Sequence, residues 1–113
     1  MTTQLVFVYG TLKKGKSNHD LLKNSKFLNK AILNCATMHS LGHYPAIKNG
    51  LGHVHGEVYE VDAVTMDRLD RLEGHPVFYK REIVDLSGGQ KAWTYFLVGD
   101  VSRYPIIPHG NWE

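Results

Sequence analysis

The segment Val6-Phe7-Val8-Tyr9-Gly10-Thr11-Leu12-Lys13-Lys14-Gly15-Lys16-Ser17 carries residue types that two different chemistries use. From Gly10 to Ser17 it satisfies the pattern G-x-x-x-x-G-K-[ST], in which backbone N–H groups cradle phosphates, a lysine reaches the outer phosphates and a hydroxyl meets magnesium. Read from Tyr9 it is an aromatic-Gly-Thr-Leu turn. There Gly10 lets the backbone approach a ligand closely, and the N–H groups from Gly10 to Leu12 can hold a carboxylate or a developing oxyanion. Among the carboxylates, Glu73 stands just before Gly74, at the expected end of a helix. Taken alone, such a residue is more often a solvated helix end than a catalytic group. Glu57 and Glu60 fall on opposite faces of a strand and make no acid–base pair, which leaves Glu57 as a runner-up acid.

Seven histidines raise the question of a metal. His53 and His55 share one face of a strand, with His39, His43 and His75 elsewhere, but the spacing matches no strong ligand signature and fixes no third ligand. No metal and no cofactor is expected. Cys35, the single cysteine, lies in an extended apolar context without an activating partner and reads as a small core residue. Lys13, Lys14 and Lys16 read as a solvated rim that could steer anionic substrates. Tyr9 and Tyr79 offer ring walls and hydroxyl groups to a ligand, with Tyr44 and Tyr95 as weaker candidates of the same kind.

The elements that must position these groups follow from pattern. Leu5 to Tyr9 is apolar, rich in β-formers and bounded by Gly10, which predicts a buried strand. Ser17 or Asn18 can cap a short helix through Lys23. Lys26 to Leu41 reads as extended and ends at the turn-rich Gly42-His43-Tyr44-Pro45; a further strand is predicted from His53 to Val61. Asp62 caps the clearest helix, with Met66, Leu69 and Leu72 as its core stripe, Gly74 as its stop and Pro76 beyond. Tyr79–Leu86 and Lys91–Val98 read as a hairpin turning at Ser87-Gly88-Gly89-Gln90. The remainder, with Pro105, Pro108 and Gly110, reads as coil wrapped over the body.

A chain of 113 residues is expected to be a single domain over 1–113, with room for one real core. Hydrophobic residues at 42% and charged residues at 21% are those of an ordinary globular protein. A net charge of +2 with mixed signs implies neither nucleic acid nor membrane as a partner. Met1-Thr2-Thr3-Gln4 has no basic n-region and the apolar run after it is short, so a cytoplasmic location is expected.

The order strand, short helix, strands, helix, hairpin is α+β with a largely antiparallel or mixed sheet that could curl into a small barrel. It is not the alternating parallel series that a nucleotide phosphate loop needs, and the helix after Ser17 is too short for one. The Tyr9 reading, by contrast, finds partners. Tyr9-Gly10-Thr11-Leu12 after the first strand, Gly56-Glu57-Val58-Tyr59 on a later one, and Leu69-Asp70-Arg71-Leu72-Glu73-Gly74-His75-Pro76 followed by Tyr79-Lys80-Arg81 together resemble the γ-glutamylcyclotransferase-like family, nearest its small γ-glutamylamine cyclotransferase branch. The resemblance spans Val6 to about Val98. It implies a small mixed β-barrel flanked by short helices and conversion of a γ-glutamyl compound to 5-oxoproline plus a free amine. It also implies a substrate loop at Tyr9, Gly10, Thr11 and Leu12, and Glu73 as the catalytic acid–base.

That chemistry suits the residues. The substrate's α-amine attacks its own γ-carbonyl, so the protein needs no nucleophile; it holds the folded-back conformer, moves protons and stabilises an oxyanion. One carboxyl group can move both protons if its pKa lies above the ordinary range, and a helix C-terminus with partial burial pushes a glutamate that way. Expected substrates are γ-glutamylamines, including γ-glutamyl-ε-lysine, and the chain is expected to be a monomer or a weak homodimer. A binding module without turnover, for γ-glutamyl compounds or other small metabolites, is the alternative reading.

Overall fold

The computed structural model describes residues 3–113; Met1 and Thr2 lie outside the described residues. Five strands form one mixed sheet in the order β2-β3-β1-β5-β4. They are β1 (Thr3–Val8), β2 (Lys26–Ser40), β3 (Pro45–Asp62), β4 (Tyr79–Asp85) and β5 (Lys91–Leu97), with the helix α1 (Ala63–Glu73) between β3 and β4. All neighbours are antiparallel except β1 and β5, which run parallel and touch through the single pairing Val6–Trp93. The buried Thr94 hydroxyl reinforces that contact by donating to the Phe7 carbonyl at 2.9 Å.

β1 is buried on both faces because successive residues feed different cores. Val6 and Val8 join Tyr59, Val61, Met66, Leu69, Tyr79, Tyr95 and Leu97 under the helix. Phe7 and Tyr9 join Leu33, Met38, Ile47, Val54, Val58 and Leu86 on the other face, which the curl of the sheet and Ile107 and Trp112 of the C-terminal segment close. The curl brings the edges together without a ladder between β2 and β4. The β4–β5 turn reaches β2 instead, where Ser87 exchanges hydrogen bonds with the Ile32 backbone and Gln90 pairs with Asn29. The result is a half-barrel, the mixed α+β sheet expected, flanked by one α-helix and one turn of 3-10 helix at His19–Leu22.

α1 forms where its signals lie. Asp62 caps it by accepting from the Thr65 N–H at 2.8 Å, and Gly74 ends it in the left-handed region at φ 66°. Met66 and Leu69 are buried, but Leu72 is 43% exposed and sits at a cavity rim rather than in the core. β3 starts eight residues earlier than the pattern predicts. Gly50 and Gly52 thus lie within the β2–β3 hairpin, where a side chain at position 50 would strike the Thr37 hydroxyl.

Two further expectations are corrected. Cys35 is exposed with φ 59°, at the bulge between Asn34 and Ala36, because the bulge turns it out of the alternation that Leu33 and Ala36 obey. Lys13 is buried: its ammonium group donates to Asn111 Oδ1 at 2.9 Å and the Trp112 carbonyl at 2.7 Å. Burial, with Lys16 adding, holds its pKa below the ordinary lysine value. The C-terminal coil reaches this clasp by strapping over the hairpin, with Ser40 N–H on the Pro105 carbonyl and Ile107 N–H on the Met38 carbonyl.

Gly56 marks a close approach between β3 and β1, since a Cβ there would lie 2.5 Å from the Val8 carbonyl oxygen and 2.6 Å from the Phe7 ring. Gly56→Ala is expected to lower stability by about 1–3 kcal/mol in urea unfolding. Gly99→Ala, at a position with open space around it, is expected to change the midpoint little.

Candidate active site

Where β1 ends, the backbone leaves the sheet at Tyr9 and folds into successive turns instead of entering an α-helix. Lys13 N–H donates to the Gly10 carbonyl at 3.1 Å, Asn18 N–H to the Thr11 carbonyl at 2.8 Å, and His19 Nδ1 meets the Leu12 carbonyl at 2.9 Å. The Asn18 side chain, expected as a helix cap, donates to the Thr11 hydroxyl. These bonds use the loop's carbonyls. The N–H groups of Gly10, Thr11 and Leu12 have no acceptor among the described residues. Gly10 is required by contact: a Cβ would lie 2.6 Å from Pro45 Cγ. The Gly10–Ser17 stretch leads only to the 3-10 turn at His19, so no α-helix N-terminus backs a nucleotide phosphate loop there.

The loop forms one side of a cavity of about 380 Å³. Tyr9, Gly10, Thr11 and Leu12 line it together with Glu73 at the end of α1 and Tyr79 at the start of β4. All six residues singled out from the sequence therefore border one space. The sequence did not single out Leu72, Phe78, His43 or Pro45, which also line it. Of the stretch from Lys26 to Gly52, only the β2–β3 turn residues His43, Tyr44 and Pro45 reach it. The available signal was the aromatic-proline pair within a turn.

The polar atoms of the walls are committed. Tyr9 donates its hydroxyl to the Tyr95 carbonyl at 2.7 Å, Tyr79 to the Pro45 carbonyl at 2.8 Å, and Tyr95 to Asp70 Oδ1 at 2.6 Å. Burial pushes the phenol pKa of each upward, and the Glu73 charge adds to the rise in all three. No donor to the Glu73 carboxyl group is found among the described residues, so burial alone raises its pKa from 4.5 to about 7. A carboxyl group of this kind can accept and return a proton near neutral pH.

Glu57 lies elsewhere. It accepts from Lys14 N–H and the Tyr59 hydroxyl and lines a separate polar depression with Lys13 and Lys30. The His53 and His55 rings lie 5.3 Å apart, edge to face, and no group of three side chains placed to hold a metal ion occurs among the described residues. Among the described residues no helix is long and apolar enough to cross a membrane.

Comparison with known proteins places this arrangement. The family described as "Gamma-glutamyl cyclotransferase, AIG2-like" matches residues 6–113. A Vibrio cholerae protein whose name assigns it provisionally to the gamma-glutamylcyclotransferases is 40% identical over 109 residues, covering 96% of this chain and 94% of its own. The gamma-glutamylcyclotransferase family protein YtfP of Escherichia coli is 35% identical over 107 residues, covering 95% and 94%. Among solved structures, an uncharacterized Pyrococcus horikoshii protein superposes with TM-score 0.84 at 31% identity, covering 96% of this chain and 88% of that one. The AIG2-like protein of Mus musculus shares the fold at TM-score 0.86 and 24% identity, covering 100% and 90%. With the loop, the helix-end glutamate and the half-barrel in one frame, this chain belongs to the AIG2-like gamma-glutamyl cyclotransferase family.

Proposed function

We propose that the chain catalyses cyclisation of a γ-glutamyl amide to 5-oxoproline and a free amine, with Glu73 as the acid–base. The observation that carries this reading is a carboxyl group of pKa about 7 in the same cavity as a loop with three uncommitted N–H groups. Glu73 takes a proton from the substrate's α-ammonium group. The freed amine attacks the γ-carbonyl carbon, closing the five-membered ring, and loop N–H groups receive the negative charge that develops on oxygen. As the C–N bond breaks, Glu73 returns that proton to the departing nitrogen, and the second proton, shed by the ring nitrogen, ends on the released amine as its ammonium form, so the carboxylate is regenerated and no cofactor is consumed. Tyr9, Tyr79 and Tyr95 supply walls but not protons, since their hydroxyls already donate to the protein.

The rim favours γ-glutamylamines. Among the described residues no lysine or arginine lines the cavity, whereas Leu72, Phe78, Tyr44 and Pro45 do. A leaving amine bearing its own carboxylate would be desolvated there without a cation, and an alkyl or aryl amine would not.

The first test is 5-oxoproline release. Glu73→Gln is expected to lose at least ~10²-fold in kcat, the scale of a removed acid–base group. γ-Glutamyl alkyl or aryl amides are expected to exceed γ-glutamyl amino acids in kcat/KM. 5-Oxoproline binding without turnover of any substrate would support the binding-module reading instead. Wild-type kcat/KM is expected to rise with pH through about 7 as the carboxylate forms.

The same group makes a stability prediction. Its pKa is raised by folding, from 4.5 to about 7, so the folded chain binds more protons between those values and stability falls as pH rises across them. Glu73→Gln removes that loss. Relative to wild type, the variant is expected to gain up to about 3 kcal/mol between pH 4 and pH 8 in denaturant unfolding.

A further inference from the structure

Beneath the cavity, Asp70 joins three elements. It lies one helical turn before Glu73 on α1, accepts the Tyr95 hydroxyl from β5 at 2.6 Å, and accepts Arg81 Nε from β4 at 2.9 and 3.2 Å. The two charged side chains are 19% and 21% exposed. Arg81 is fixed on its other sides: its guanidinium lies 4.4 Å over the Trp93 ring, and its own N–H donates to His75 Nδ1 at 3.1 Å. Asp70 also helps end the helix, its carbonyl accepting His75 N–H at 2.9 Å. Residues three apart on a helix are neighbours, so an uncompensated charge on Asp70 acts directly on Glu73.

We propose that Arg81 is a positioning residue for the acid–base step: by clamping Asp70 it holds Tyr95 in the cavity wall and cancels a second negative charge beside Glu73. The inference rests on reading Glu73 as the base. The titratable groups that line the cavity with Glu73 are Tyr9 from the end of β1, Tyr79 from β4, Tyr95 from β5, and His43 and Tyr44 at the β2–β3 junction; Asp70 lies behind Tyr95, three residues before Glu73 on the same helix. His75 follows one residue beyond Gly74. Asp70 and Arg81, which Tyr95 joins to this wall, carry charges of opposite sign.

The signs are fixed. Without Arg81, the Asp70 charge disfavours ionisation of Glu73; without the Asp70 charge, the Arg81 cation favours it. The experiment follows the Glu73 carboxyl carbon by NMR titration, assigned by its loss in Glu73→Gln, which reads this group separately from His43. In Arg81→Gln the midpoint is expected to move up by about 0.5–1 pH unit, and in Asp70→Asn down by a similar amount. In the double variant Asp70→Asn/Arg81→Gln it is expected to return to near the wild-type value, with the kcat/KM midpoint moving in parallel. A pair that only supports the fold would lower activity without opposite shifts. An unchanged midpoint in a folded single variant, or shifts of one sign in both, overturns the proposal; if one single variant fails to fold, the other decides it. Midpoints that move as expected without 5-oxoproline formation would leave the pairing intact and remove the cyclotransferase reading. Turnover abolished by Glu73→Gln with immobile midpoints would do the reverse.

Discussion

Partly burying a carboxyl group without a hydrogen-bond donor costs free energy, and this fold concentrates that cost at Glu73. Much of the surrounding architecture keeps the cost from being relieved. Three tyrosines surround the cavity with hydroxyls already engaged, Tyr79 by a carbonyl on the β2–β3 turn, Tyr9 by one on β5, and Tyr95 by a carboxylate on the helix. The two obvious sources of positive charge are turned elsewhere, Lys13 into the C-terminal strap and Arg81 onto Asp70. What is left near Glu73 is a set of backbone N–H groups, suited to an oxygen that becomes negative only during reaction.

The placement of those parts follows from the sheet. β1 has both faces in a core, and it delivers Tyr9 and Gly10 at its end with little freedom. Parallel pairing with β5 and antiparallel pairing of β5 with β4 put the end of β1, the end of β5 and the start of β4 at one end of the sheet, so Tyr9 and Tyr79 converge despite the 69 residues between them. α1 then needs only its cap at Asp62 and its stop at Gly74 to bring Glu73 to the same edge.

Local signals explain how much of this was legible. α1 was readable because capping, apolar spacing and a terminal glycine agree on one segment, and the β4–β5 hairpin because alternation and its Gly-Gly turn agree. The six site residues were readable as a set only through their resemblance to a known family; pattern alone made Glu73 an ordinary helix end. The errors have a common cause. Lys13, Cys35 and Leu72 were assigned by residue type, but their exposure is set by a distant strap, by a bulge and by a cavity opening under the helix. The strand drawn from His53 left out Gly50 and Gly52 because nothing local reveals the Thr37 and Ala36 groups that press on them. Asp70 and Arg81 carry no signal of pairing, since the contact joins a helix to a strand across the cis-proline turn.

The strap has a consequence for how the chain is made. The Lys13 clasp joins positions 99 residues apart, and its partners at Asn111 and Trp112 are synthesised after all five strands. A nascent chain can form the β2–β3 hairpin and α1 early, because their contacts are near in sequence. β1 must wait for β5 to gain its second neighbour, and the turn after Tyr9 keeps an unanchored ammonium group until the strap arrives. During synthesis the loop after β1 therefore settles only once the strands that follow it have been made, and contacts of such long sequence separation slow folding.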